Sequence, residues 1–123
     1  MIRSKNIDAE AGRWSEPMKL ASSTTASFAW KNPTGKEVLI TNVIVNVTTA
    51  AASKTVSAGV SATATATTAT NEILDAATLT TGQTIISPNP TTVAKGSYIV
   101  GTLSATDATL DAYAYVQYKE LTK

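Results

Sequence analysis

The chain has 123 residues and a formal net charge of +1, contains neither Cys nor His, and places Thr or Ala at about a third of its positions. Without imidazole or thiol there is no Ser-His-Asp or Cys-His nucleophile of the usual kind, and no side chain whose unperturbed pKa lies near neutrality. Zinc, iron-sulfur and copper sites lose their preferred ligands, and 15% charged residues without a basic cluster give no field to attract nucleic acid or an anionic membrane.

These absences lead us to expect a structural or binding module, with no catalytic residue, no cofactor and no metal. A chain of 12.8 kDa buries about two-thirds of its unfolded surface on folding, which is enough for one small domain. No apolar run approaches the eighteen or so residues of a membrane span. The opening residues mix both charges where a secretory signal would be apolar, so synthesis in a cytoplasm is expected.

Residues 1–20 hold seven of the nineteen charged residues, with Ile2, Ile7, Trp14, Met18 and Leu20 spaced between them without a sustained period. This stretch reads as an N-terminal arm preceding a domain at 21–123, lying either on its own domain or on a neighbouring subunit. Burying such an apolar side chain contributes about 1.5–3 kcal/mol. Next, Thr25 to Trp30 forms a short run closed by Lys31-Asn-Pro-Thr-Gly35, a turn that predicts a hairpin into the following strand, with Trp30 in the core.

Residues 37–49 are almost wholly β-branched and predict a central strand. Strict alternation places Leu39, Thr41, Val43, Val45 and Val47 on one face and Val38, Ile40, Asn42, Ile44 and Asn46 on the other. Residues 55–66 alternate more weakly, with small side chains, and read as an edge strand running into the low-complexity stretch Ser61 to Thr70. Asn71 to Asp75 reads as one helical turn capped by Asn71, and Thr84 to Ser87 as a short apolar-bearing segment broken by Pro88-Asn-Pro90.

Ser97 to Ser104 and Leu110 to Leu121 are predicted strands that would pair as a hairpin. In the second, Leu110, Ala112, Ala114, Val116 and Tyr118 share an inner face, and Asp111, Tyr113, Tyr115, Gln117 and Lys119 a polar-aromatic outer one. About seven strands without a long helix predict an all-β fold, an antiparallel β-sandwich or jelly roll. With Ala, Thr and Val at inward positions, the core should be thin and should gain from self-association.

The order of features resembles the small β-sandwich auxiliary capsid proteins of tailed bacteriophages, also called head decoration or cement proteins. It runs from Phe28-Ala-Trp30 with Asn32-Pro-Thr-Gly35, through the strand Val38 to Thr49, Gly59-Val60 and Asn71 to Asp75. It ends in Lys95-Gly-Ser-Tyr-Ile-Val-Gly-Thr102 and Ala112-Tyr-Ala-Tyr-Val-Gln-Tyr118. The resemblance covers residues 25–120. It implies a virion protein on the capsid surface that binds the major capsid protein and reinforces the shell, with a homo-oligomer expected and a trimer favoured. As interface residues we expect Trp14, Met18 and Leu20 as arm anchors, Arg3, Lys5 and Arg13 against acidic groups, and Tyr113 and Tyr115 against a subunit.

An alternative class is a glycan-binding, fibre or tail-appendage module, in which Trp14, Trp30, Tyr113 and Tyr115 would meet sugar rings. An ice-binding row at Thr63, Thr65 and Thr67 lacks the repeat such a lattice needs. The clusters Asn71, Glu72, Asp75 and Asp107, Asp111 lack the acid density of a calcium loop and read as turn and cap residues.

Overall fold

The computed structural model describes residues 13–64, 72–87 and 90–121. These form ten strands and no helix: β1 (Arg13–Trp14), β2 (Met18–Lys19), β3 (Phe28–Lys31), β4 (Val38–Thr49), β5 (Thr55–Ser61), β6 (Leu74–Thr78), β7 (Thr84–Ser87), β8 (Thr91–Val93), β9 (Tyr98–Leu103) and β10 (Asp111–Glu120). The first sheet runs β1/β2, β10, β4, β7/β8, and the second runs β3, β9, β5, β6, all pairs antiparallel. If β1 with β2, and β7 with β8, each count as one interrupted strand, eight positions pair first with last, second with seventh, third with sixth and fourth with fifth. That nested pairing is the jelly roll, the expected architecture.

Nesting overturns both predicted hairpins around the long strands. β3 and β4 lie in opposite sheets, as do β9 and β10, so the turns between them cross from one sheet to the other. The turn chemistry itself was correctly read. Gly35 has φ +72°, and Asn32 is buried, its amide nitrogen donating to the carbonyls of Lys36 (2.6 Å) and Val93 (3.1 Å) while its oxygen accepts from Thr34 N–H (3.0 Å). A turn motif specifies a local change of direction; which strand the chain then joins depends on where the apolar faces of β9 and β4 find cover.

Two further expectations are corrected. β5 is interior rather than an edge, flanked by β9 and β6. The predicted helical turn ends instead in strand β6, with Asn71 outside the described residues. Ile73 and Leu74 are both buried, and Leu74 pairs with Ala58, a burial that one exposed turn of helix could not provide.

β4 is central, as predicted, but its faces exchange midway. Val38 and Ile40 are buried, then Val43, Val45 and Val47. The register against β10 slips between Gln117↔Asn42 and Tyr118↔Ile40, leaving Thr41 as the extra residue of a β-bulge. The bulge is held by Gln117, whose side-chain oxygen accepts from Asn42 Nδ2 (2.7 Å) and Thr41 Oγ1 (3.1 Å). Period-two reasoning fails there because one inserted residue moves every later side chain to the other face.

The core between the sheets is valine-rich, with Phe28, Trp30 and Tyr118 as its aromatic members and Leu20, Ile40, Ile99 and Leu103 beside them. Among the described residues no Thr is buried, contrary to the expected Ala, Thr and Val mixture: threonine's hydroxyl favours the outer faces and turns, where it has partners. The Trp30 and Tyr118 rings lie 4.9 Å apart, joining the two sheets. Ser87 adds a polar tie, its hydroxyl donating to the Ile73 carbonyl at 2.7 Å.

Candidate interaction surfaces

Strand alternation leaves the outer face of the first sheet apolar in the middle. β10 buries Ala112, Ala114, Val116 and Tyr118 inward, so Tyr113, Tyr115 and Gln117 point outward, as the sequence indicated. Register aligns them into rows. Tyr113 stands between Lys19 and Asn46, with Thr84 beyond; Tyr115 is opposite Ile44, which is opposite Ile86; Gln117 stands between Trp14 and Asn42. The middle row, Tyr115, Ile44 and Ile86, carries no charge.

Trp14 is 49% exposed, Ile86 58% and Tyr113 36%, three large apolar side chains on one sheet face. Ile44 and Ile86 were not among the residues singled out from the sequence. The signal existed: Ile85-Ile86 in a strand must send one side chain to each face, and Ile85 opposite Val45 takes the inner one.

Residues 13–20 pack on the domain's own sheet. Ser15 N–H donates to the Val116 carbonyl (2.7 Å), Leu20 N–H donates to the Ala112 carbonyl (2.9 Å), and Ser15 Oγ accepts from Val116 N–H (2.9 Å). Leu20 is a fully buried core residue, which leaves it no surface for a partner, and Met18 packs half-buried against the same core. Arg13 pairs with the chain's own Glu120 at 3.6 Å, and Lys36 approaches the same carboxylate at 3.9 Å, both at the surface where such pairs are worth about 0–1 kcal/mol. Arg3 and Lys5 lie outside the described residues, as do Thr65 and Thr67.

Where the edge of the first sheet meets β3 of the second, a groove of about 400 Å³ is lined by Trp14, Glu16, Met18, Trp30, Lys31 and Tyr118. It adjoins a second hollow of about 590 Å³ around Lys31, Asn32, Pro33, Gly35, Lys95 and Gly96, the two sharing Lys31 and Pro33. Lys31 Nζ also lies over the Tyr98 ring, 6.0 Å from its centre.

Two acidic residues, Asp107 and Glu72, accept bonds from backbone N–H groups. Asp107 accepts from Ala51 N–H (2.8 Å) through one oxygen, and from Thr109 N–H (2.9 Å) and Thr109 Oγ1 (2.7 Å) through the other. The Ala51 bond first, then the Thr109 hydroxyl, hold this carboxyl below its ordinary value. Asp107 thereby ties the crossing between β9 and β10 to the loop after β4. Glu72 accepts from Val60 N–H at 3.2 Å.

Among solved structures, the fold is similar to a chain of the cyanophage Pam1 capsid asymmetric unit, with 16% sequence identity and a TM-score of 0.53. The alignment covers 89% of this chain and 86% of that one. No family model matches the sequence. No curated protein matches it either.

Proposed function

We propose that this protein is a non-enzymatic structural component of a phage virion: an auxiliary capsid protein of the decoration or cement kind, synthesised in the host cytoplasm, that docks on the head's outer surface and reinforces it. The observation that carries this reading is the likeness to the cyanophage capsid chain over nearly the full length of both molecules. Such coverage makes the two chains comparable in length.

The outer face of the first sheet is the docking surface in this reading, meeting the major capsid protein through Tyr113, Tyr115, Ile44, Ile86 and Trp14. Each large apolar side chain newly buried contributes about 1.5–3 kcal/mol, and several copies engaged at once multiply the effect. A trimer at local three-fold positions would engage the shell in that way.

Co-sedimentation with undecorated capsids tests the proposal. Saturable binding by the wild type, weakened at least about tenfold by Tyr113→Ser with Ile86→Ser (a loss of about 1.4 kcal/mol), is expected. A variant lacking residues 1–12 isolates the segment before β1 without touching Leu20. Absence of wild-type binding would refute the capsid role and bring the glycan reading forward, with Trp14 and Tyr113 as exposed ring platforms.

A further inference from the structure

A jelly roll built of two open sheets has four edges, and three of them here are blunted. The β1/β2 edge is interrupted at Glu16-Pro17, and the β7/β8 edge between Ser87 and Thr91, where Pro90 immediately precedes β8. On the β6 edge, Ala76 adopts φ +52° within a register shift, so its backbone leaves the regular ladder. Proline, bulges and irregular backbone are among the devices by which sheets prevent unwanted strand addition, as are short edge strands and edge lysines, so Lys31 on the short strand β3 disfavours a cationic partner while leaving the backbone open to an acidic one. The fourth edge, β3, has neither a proline nor a positive φ among its residues, Phe28-Ala-Trp-Lys31.

The geometry of β3 presents a usable ladder. Asn32 N–H donates to the Ser97 carbonyl, and residues 28–31 pair in register with 101–98. Antiparallel alternation then turns the N–H and C=O of Phe28 and Trp30 toward β9, and those of Ala29 and Lys31 toward the open edge. Alongside this edge runs the groove with Trp30, Tyr118 and Met18 at its apolar wall, continuing into the hollow beside Lys95. The charges lining the two are Lys31 and Lys95 against Glu16 alone.

We propose that β3 is a strand-addition site that takes an extended, acidic segment of another protein. Backbone bonds to Ala29 and Lys31 supply the affinity. Carboxylates facing Lys31 and Lys95 and an apolar side chain over the Trp30 wall supply the selectivity. The site borders the outer face of the first sheet at Trp14, which lines the groove, but Ala29, Lys31 and Lys95 lie outside that face, so shifts at these three distinguish it from docking through Tyr113 and Ile86.

The probe is the synthetic peptide acetyl-Asp-Leu-Asp-Val-Asp-Leu-Asp-amide, titrated into the full-length ¹⁵N-labelled protein, with the Asp→Lys version of the peptide as its mirror. Saturable amide shifts at Ala29, Lys31, Ser97 and Gly96 with the acidic peptide, at least about tenfold tighter than with its mirror (1.4 kcal/mol), are expected. The double variant Lys31→Glu with Lys95→Glu should exchange that preference. Both lysines are exposed, so the fold survives, and an unchanged spectrum elsewhere verifies it.

Four results would overturn the proposal: no shifts with the acidic peptide, shifts centred on Tyr113 and Ile86, or the same β3 shifts on raising the protein's own concentration, which would assign the edge to a second copy. The fourth is a response at Trp30 and Lys95 to oligogalacturonate but not to peptide, which would make it a sugar site.

Discussion

The first sheet is organised by a single long ladder, whereas the second joins shorter ladders at which small residues stand opposite large ones. β4 and β10 pair along most of their lengths, and their outward side chains are large: tyrosine, isoleucine and glutamine. In the second sheet Gly59 stands opposite Val100, Gly101 opposite Phe28, and Ala58 opposite both Gly101 and Leu74. The contrast separates two tasks. The long ladder can carry a large-residue outer face because its stability comes from buried valines beneath it. The short sheet depends on close approach, with one aromatic ring laid over one glycine.

The largest test of that contrast is at Phe28. Phe28→Ala should destabilise the domain by about 3–5 kcal/mol, because it empties the ring's place over Gly101. A Cβ at Gly101 would overlap that ring, so Gly101→Ala should itself cost about 1–3 kcal/mol. The two changes should be non-additive, Gly101→Ala becoming nearly neutral once Phe28 is Ala. Urea unfolding of both single variants and the double variant measures the coupling; strict additivity would mean the ring does not rest on Gly101.

A smaller effect tests the crossing that links the two sheets. The Asp107 carboxyl is held below its ordinary value, so the stability it contributes is present above the unfolded value near 3.9 and is lost as pH falls through the lower folded value. Asp107→Asn should lose about 1–3 kcal/mol at pH 7 and show a flatter loss of stability below about pH 4. Equal acid sensitivity of wild type and variant, measured by unfolding midpoints from pH 7 to pH 2, would contradict this.

The smallest effects concern the irregular edge and the exposed face. Ala76→Gly relieves a left-handed residue whose N–H donates to Ser57 Oγ at 2.9 Å, and should stabilise by about 0.5 kcal/mol after the added chain entropy is counted. Ile86→Ser should change stability by no more than about 0.5 kcal/mol, since its side chain faces solvent. A large loss in Ile86→Ser would show that the outer face is structural, undermining its assignment as a docking surface.

What could be read from the sequence was local. Alternation marked out β4 and β10, assigned both faces of β10, and placed Tyr113 and Tyr115 outward, because a pleated strand sends neighbours to opposite sides whatever it pairs with; the Lys95-Gly96 turn signal located β9, and Trp30, closing its strand, was expected in the core, where it lies. Lys31 to Gly35 was recognisable as a turn because few residues other than glycine adopt the φ that position 35 requires. What only tertiary structure decided was partnership. It sent β3 and β4 to opposite sheets, moved β5 to the interior, drew Leu20 from the arm into the core, and inserted Thr41 as a bulge that reverses the faces of β4. The outer face of the first sheet and the β3 edge likewise exist only once strands distant in the chain stand side by side. The reason is physical: a strand's own residues specify which side must be buried, but the neighbour that buries it is chosen by the packing of the whole core.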